Sequence, residues 1–173
     1  MNDTAAPASV DGVRLARTLP GPVDRVWAYV TDSKKRATWL AAGEFDLRVG
    51  GAVDLRFDND KLSPGVPAPA KFADHPCAVT GQITKIEPMR MLALTWNAGD
   101  IHSEVTFELE PRGKDVEITI THRRIGERGA NIGIMSGWET HVGILHDRLA
   151  GVEPQPFWAT HSRLSRHYET AMQ

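Results

Sequence analysis

Residues 13–19, VRLARTL, place Val13, Leu15, Arg17 and Leu19 on one face, the alternation of a half-buried strand. Pro20-Gly21-Pro22 interrupts it, and Val23, Val26, Trp27 and Val30 then recur at helical spacing. Asp32-Ser33 is a cap for a second short helix, predicted to run to Trp39-Leu40 and to end at Gly43. From there the period changes to two. Phe45, Leu47 and Val49 alternate with polar residues, Gly50-Gly51 turns the chain, and Val53, Leu55 and Phe57 alternate again, predicting a hairpin over 44–58. Residues 58–76 hold four prolines and no periodicity, and read as a long loop of the kind used for lids or flaps. Strands are predicted over 78–87, 90–97, 102–110 and 115–122, and a long helix over 132–151 closes the unit. A run of antiparallel strands with helices segregated at the ends is an α+β pattern of six to seven strands, with two short helices after the first.

The long helix raises a physical question. It contains Gly133, Gly137 and Gly143, each of which destabilises a helix interior by roughly 1 kcal/mol relative to Ala. On a helical wheel Ile134, Trp138, His141, Val142, Leu145 and Leu149 cluster on one side, with Gly133 and Gly137 at its flank. The glycines either relieve crowding against another backbone or leave space beside the helix. One helix cannot touch a strongly twisted sheet everywhere, so a gap lined by Trp and His is expected between them.

The 173 residues suit one compact domain: residues 1–12 as a disordered lead-in, 13–151 as the folded unit, and 152–173 as an extension. Within the extension Trp158, His161, Leu164, Ser165 and Tyr168 lie near one helical face, which predicts a short helix covering an exposed edge here or in a dimer partner. A net charge of -2 gives no basic excess to hold nucleic acid or an anionic membrane. No apolar run is long enough to span a bilayer, and the first ten residues lack the pattern of a secretory signal. Cys77 is the single cysteine, so no internal disulfide can form, and a reducing cytoplasm is the expected location.

Candidate chemistry sits on the predicted inner faces. Trp96 shares the face of Leu92 and Leu94, Phe107 that of Val105 and Leu109, and Phe57 that of Val53 and Leu55. Trp39 closes the second helix, where it could stand at a cavity mouth, and Trp138 with Ile134 forms the helix side of the wall. His122 has the parity of Val116, Ile118 and Ile120, and His141 lies on the inner helix edge. A buried imidazole there is either a hydrogen-bonded core group, a ligand-orienting group or a general base. Neither His75-x-Cys77 nor His141-x4-His146 has zinc-site spacing, so no metal is expected. Nucleophile-elbow, P-loop and dinucleotide motifs are missing, and no cofactor is expected.

The segments VDRVWAYVTD (23–32), TWL (38–40), FDLRVGGAVDLRF (45–57), GQITKIEPMRMLALTW (81–96), SEVTFELEP (103–111), ITITH (118–122) and GWETHVGILHDRLAG (137–151), in this order, resemble the activator of heat-shock-protein-90 ATPase homologues of the START-like, helix-grip superfamily. The resemblance implies a curved antiparallel sheet gripping the last long helix, as in START-like and Bet-v-like folds, with a cavity between them that binds apolar molecules. The leading expectation is therefore a small apolar or aromatic ligand lodged against Trp39, Phe57, Trp96, Phe107, His122, Ile134, Trp138 and His141. One alternative is a cyclase- or hydrolase-type enzyme using His122 or His141 as acid/base. Another is a co-chaperone-like interaction module. The first strand begins near residue 13, leaving no room for the additional chaperone-binding domain of the eukaryotic co-chaperone, which argues against ATPase activation. A homodimer through an edge strand or the extension is a further expectation.

Overall fold

The computed structural model describes residues 6–9, 12–63, 65–70, 78–124 and 128–171. Its strands are β1 (Ala6–Ser9), β2 (Gly12–Pro20), β3 (Ala52–Arg56), β4 (Ala78–Glu87), β5 (Met91–Ala98), β6 (Ile101–Arg112) and β7 (Asp115–Arg123). Its helices are α1 (Val23–Thr31), α2 (Ser33–Arg36), α3 (Asn59–Leu62), α4 (Arg128–Ala150) and α5 (Phe157–Ala171). The strands form one antiparallel sheet in the order β1-β2-β7-β6-β5-β4-β3. This is the α+β class that the alternating sequence predicts and the helix-grip arrangement that the family resemblance implies.

Register explains the core. Residues directly opposite in an antiparallel pair share a face, so Val13, His122, Val105, Leu94 and Ile83 form one row across five strands. Leu15, Ile120, Phe107 and Leu92 form the next row. These side chains are buried beneath α4, which contributes Met135, Trp138, Val142, Leu145 and Leu149. At Gly81 a Cβ would stand 1.9 Å from the Thr95 carbonyl oxygen, so only glycine admits the close approach of β4 to β5 beside its register shift.

Three sequence expectations are corrected. The proposed lead-in contains β1, which pairs with β2 through main-chain bonds that require no hydrophobic alternation and so leave no mark in APAS. The first strand of the predicted 44–58 hairpin is reduced to two isolated bridges, Ala42 with Arg56 and Phe45 with Val53. Tight turns divert its remaining bonds: Arg48 N donates to Asp46 O and Gly51 N to Arg48 O. The second helix stops at Arg36, and Trp39 and Leu40 follow in turns.

The extension forms α5, which buries Phe157, Trp158, His161, Leu164 and Tyr168. Ser63 Oγ bonds the Pro154 and Gln155 carbonyls, and Trp158 Nε1 donates to Asp60 Oδ1 at 2.5 Å. The start of the proline-rich loop is thereby fastened to the C-terminal helix. Tyr168 and Arg17 both donate to Glu139, the latter at 2.9 Å, joining α5, β2 and α4. Burial and the adjacent Glu139 carboxylate push the Tyr168 phenol up, so it stays a donor.

Arg36 organises the crossing from α1 to the sheet. Only 1% exposed, it donates from Nε to Ala41 O and from Nη1 to Val30 O and Thr31 O, each at 3.2 Å, and from Nη2 to Gly43 O. Phe45 covers the guanidinium at 3.7 Å. Burial lowers its pKa to about 10, leaving it charged at neutral pH. Arg36→Met would leave buried carbonyls without a donor and should destabilise the protein by at least about 3 kcal/mol in urea unfolding. A loss below about 1 kcal/mol would show that water or rearrangement replaces the guanidinium.

Candidate functional site

The α4 glycines answer the question that the sequence poses. A Cβ added at Gly133, Gly137 or Gly143 would meet no atom within 4 Å. They stand beside open space, and no second backbone crowds them. Gly133 and Gly137 border a cavity of about 290 Å³ between α4 and the sheet. Phe57, Trp96, His122, Ile134, Trp138 and His141 line it, joined by Leu40, Asn59, Val79 and Ala98.

Two sequence-predicted wall residues lie elsewhere. Trp39 is fully buried away from the cavity, because its indole N–H donates to the Tyr29 carbonyl at 2.7 Å and turns the ring toward α1; Leu40 takes the wall position. Phe107 stands behind Trp138, edge-on with centroids 5.7 Å apart, and supports that ring from below. Asn59 escaped the sequence reading because a polar residue in a proline-rich loop carries no periodic signal. Pairing in the α4 wheel had already marked the glycines.

The aromatic wall is continuous. Trp96 contacts Phe57, His122 and Trp138 with centroids 5.7, 5.5 and 5.4 Å apart. Trp138 also meets His141 at 6.5 Å, and behind His141 stands Phe157 of α5 at 5.0 Å. Such tilted contacts are favourable aromatic geometries and hold the rings at fixed angles.

Hydrogen bonds assign the protons of both imidazoles. The indole of Trp138 can only donate, and its Nε1–H points at His122 Nδ1 at 3.0 Å. His122 Nδ1 is therefore bare, so in the neutral ring Nε2 carries the proton and donates to Ser103 Oγ at 2.8 Å. Ser103 Oγ then donates to the Trp96 carbonyl at 2.9 Å. Every site on His122 is used, and its lone pair is occupied by an indole proton. His141 has the opposite tautomer: Nδ1 lies 2.8 Å from the Trp39 carbonyl oxygen, which only accepts, so Nδ1 is protonated. Its Nε2 carries a lone pair to which no described residue donates. No hydrogen bond joins the two imidazoles, and Trp138 contacts both of them.

Two further recesses have a different character. One of about 380 Å³ beneath α5 is walled by Arg17, Glu139, Asp147 and Arg163. Another of about 560 Å³ involves Arg14, Glu87, Arg90, Glu108, Glu110 and Glu117. Their charged walls do not suit an apolar occupant. Among the described residues no three His, Cys, Asp or Glu side chains group to hold a metal ion; His75 and Cys77 lie outside those residues. No described helix is long and apolar enough to cross a membrane.

Burial pushes both cavity imidazoles down to about 4; at His141 the bond to Trp39 opposes that shift and His161 adds to it. Between these values and the unfolded pKa of about 6.5 the unfolded chain binds more protons, so stability rises with pH. The contribution is complete above about pH 6.5 and is lost as pH falls toward 4. Urea unfolding should weaken by about 2 kcal/mol per imidazole between pH 7 and pH 5, and His122→Gln should remove roughly half of that slope. A stability flat over this interval would contradict the buried neutral assignment.

The chain is similar over nearly its whole length to a solved protein of Bordetella parapertussis, at 39% identity, covering 97% of this chain and 90% of that one with a TM-score of 0.79. CalU16 of Micromonospora echinospora matches at 20% identity, covering 92% and 86%, with a TM-score of 0.68. A protein solved as the Aha1 dimer of Colwellia psychrerythraea matches at 14% identity, covering 80% and 95%, with a TM-score of 0.61. The last two likenesses concern the fold. Among curated proteins none matches the chain. The model of the family described as activator of Hsp90 ATPase homolog 1-like protein matches residues 20–150, and the chain belongs to that family.

Proposed function

We propose that the protein binds a small apolar or aromatic molecule in the cavity between α4 and the sheet. The observation that carries this reading is the open space at Gly133 and Gly137. A helix that only packed against a sheet would gain roughly 1 kcal/mol from Ala at each position, with nothing in the way of the added methyl. Retaining glycine keeps the space. The wall around it is formed mainly by Leu40, Phe57, Val79, Trp96, Ile134 and Trp138, which offers broad, rigid apolar contact.

Catalysis is a weaker reading of the same residues. A general base needs a free lone pair and a pKa near the working pH. The His122 lone pair is occupied, and burial leaves His141 a feeble base at about 4. A co-chaperone role would rest on an exposed face. The exposed large apolar side chains among the described residues are Leu47 and Val49 in one segment, and Val66, Met89, Ile101 and Val152 each in a different stretch of the chain, and scattered exposures of this kind are ordinary.

Gly137→Leu should fill the cavity, leave the protein folded, and abolish quenching of tryptophan fluorescence by naphthalene. Gly143→Ala, at an exposed position of α4 outside the cavity wall, should stabilise the protein by roughly 0.5–1 kcal/mol and leave naphthalene binding unchanged. Equal quenching in wild type and Gly137→Leu would move the ligand out of this cavity.

A further inference from the structure

On the reading that this cavity holds a small apolar molecule, we infer that the molecule is a neutral one- or two-ring compound bearing a hydroxyl group, whose O–H is delivered to Nε2 of His141. His141 is 6% exposed, and its Nδ1–H is committed to the Trp39 main-chain carbonyl. That bond fixes the tautomer and the ring plane, leaving Nε2 as an acceptor without a donor among the described residues. An apolar occupant of the cavity would strip solvent from that acceptor and leave it unmatched, whereas a ligand O–H restores its bond. His122 cannot take this part, because Trp138 and Ser103 occupy both of its nitrogens.

The rest of the wall points the same way. Its other polar groups are Asn59, whose Oδ1 is buried without a partner, and the half-buried Trp96 indole. The Asn59 oxygen is thus a second acceptor on this wall without a donor among the described residues. Among the described residues no Asp, Glu, Lys or Arg lines the cavity, so a carboxylate or ammonium ligand would find no counter-charge among them. A volume of about 290 Å³ lies at the small end of ligand sites and matches one or two fused rings.

Four probes with one ring system separate the terms: naphthalene, 2-naphthol, 2-methoxynaphthalene and 2-naphthoate, each titrated into the full chain by tryptophan fluorescence. We expect 2-naphthol to bind at least about tenfold more tightly than naphthalene or 2-methoxynaphthalene, the difference expected for one buried hydrogen bond to a neutral acceptor. The carboxylate should bind most weakly. In His141→Phe the advantage of 2-naphthol should vanish while naphthalene binding persists. Wild-type protein gives a second readout that needs no variant: the His141 imidazole nitrogen resonance should move with 2-naphthol and not with naphthalene. If naphthalene and 2-naphthol bind equally to the wild type, or if the tenfold preference survives in His141→Phe, the hydroxyl assignment is overturned while the cavity remains a ligand site. If none of the four probes binds, the ligand-site reading falls, and this inference falls with it.

Discussion

The hydrogen bond from the Trp138 indole to His122 is the contact on which the inner architecture depends. An indole nitrogen has no lone pair to offer, so one bond decides the protonation of its partner. His122 is thereby set as the Nε2–H tautomer, Ser103 becomes its acceptor, and the Ser103 proton goes to the Trp96 carbonyl. The chain of donors runs from α4 through β7 and β6 to β5. It couples the helix to three strands at one level of the sheet and satisfies every polar group that burial places there. Partly satisfied, such a network would cost more than it contributes; fully satisfied, it specifies a single arrangement.

With α4 held at that level, its curved partner cannot be touched evenly. Toward the N-terminal half of α4 the glycines leave the separation unfilled, and Trp96, Phe57 and Ile134 stand around it. Toward the C-terminal half Val142, Leu145 and Leu149 belong to the buried core. The opposite face of α4 is also buried, by α5, where Ser136 and Thr140 return their hydroxyl protons to carbonyls four residues back. The helix thus carries a cavity on one side and a structural partner on the other. Phe157 of α5 backs the His141 ring, so the C-terminal extension also shapes the ligand wall.

Most of the sheet was legible because alternating strands buried on one face announce themselves: Val116, Ile118, Ile120 and His122 could be placed inward from parity alone. The inward stripe of α4 was equally readable from its wheel. What failed to show were features set by single polar bonds. Trp39 followed its indole proton to Tyr29 and left the cavity, a choice that periodicity does not record. Arg36 ends a Ser-Lys-Lys-Arg run that reads as a solvated surface, yet it is enclosed by carbonyls. The second buried face of α4 was hidden because Ser136, Thr140 and Ile144 look mixed in polarity, and the cover comes from a helix later in the chain. Asn59 needed the folded chain before it could be seen in the cavity wall.

The division between one spent and one open imidazole is the central claim, and a long-range proton–nitrogen NMR spectrum of the histidine rings at neutral pH tests it most directly. The account predicts His122 protonated at Nε2 and bare at Nδ1, and His141 protonated at Nδ1 with a bare Nε2. An imidazolium at either position, or His122 protonated at Nδ1, would contradict it.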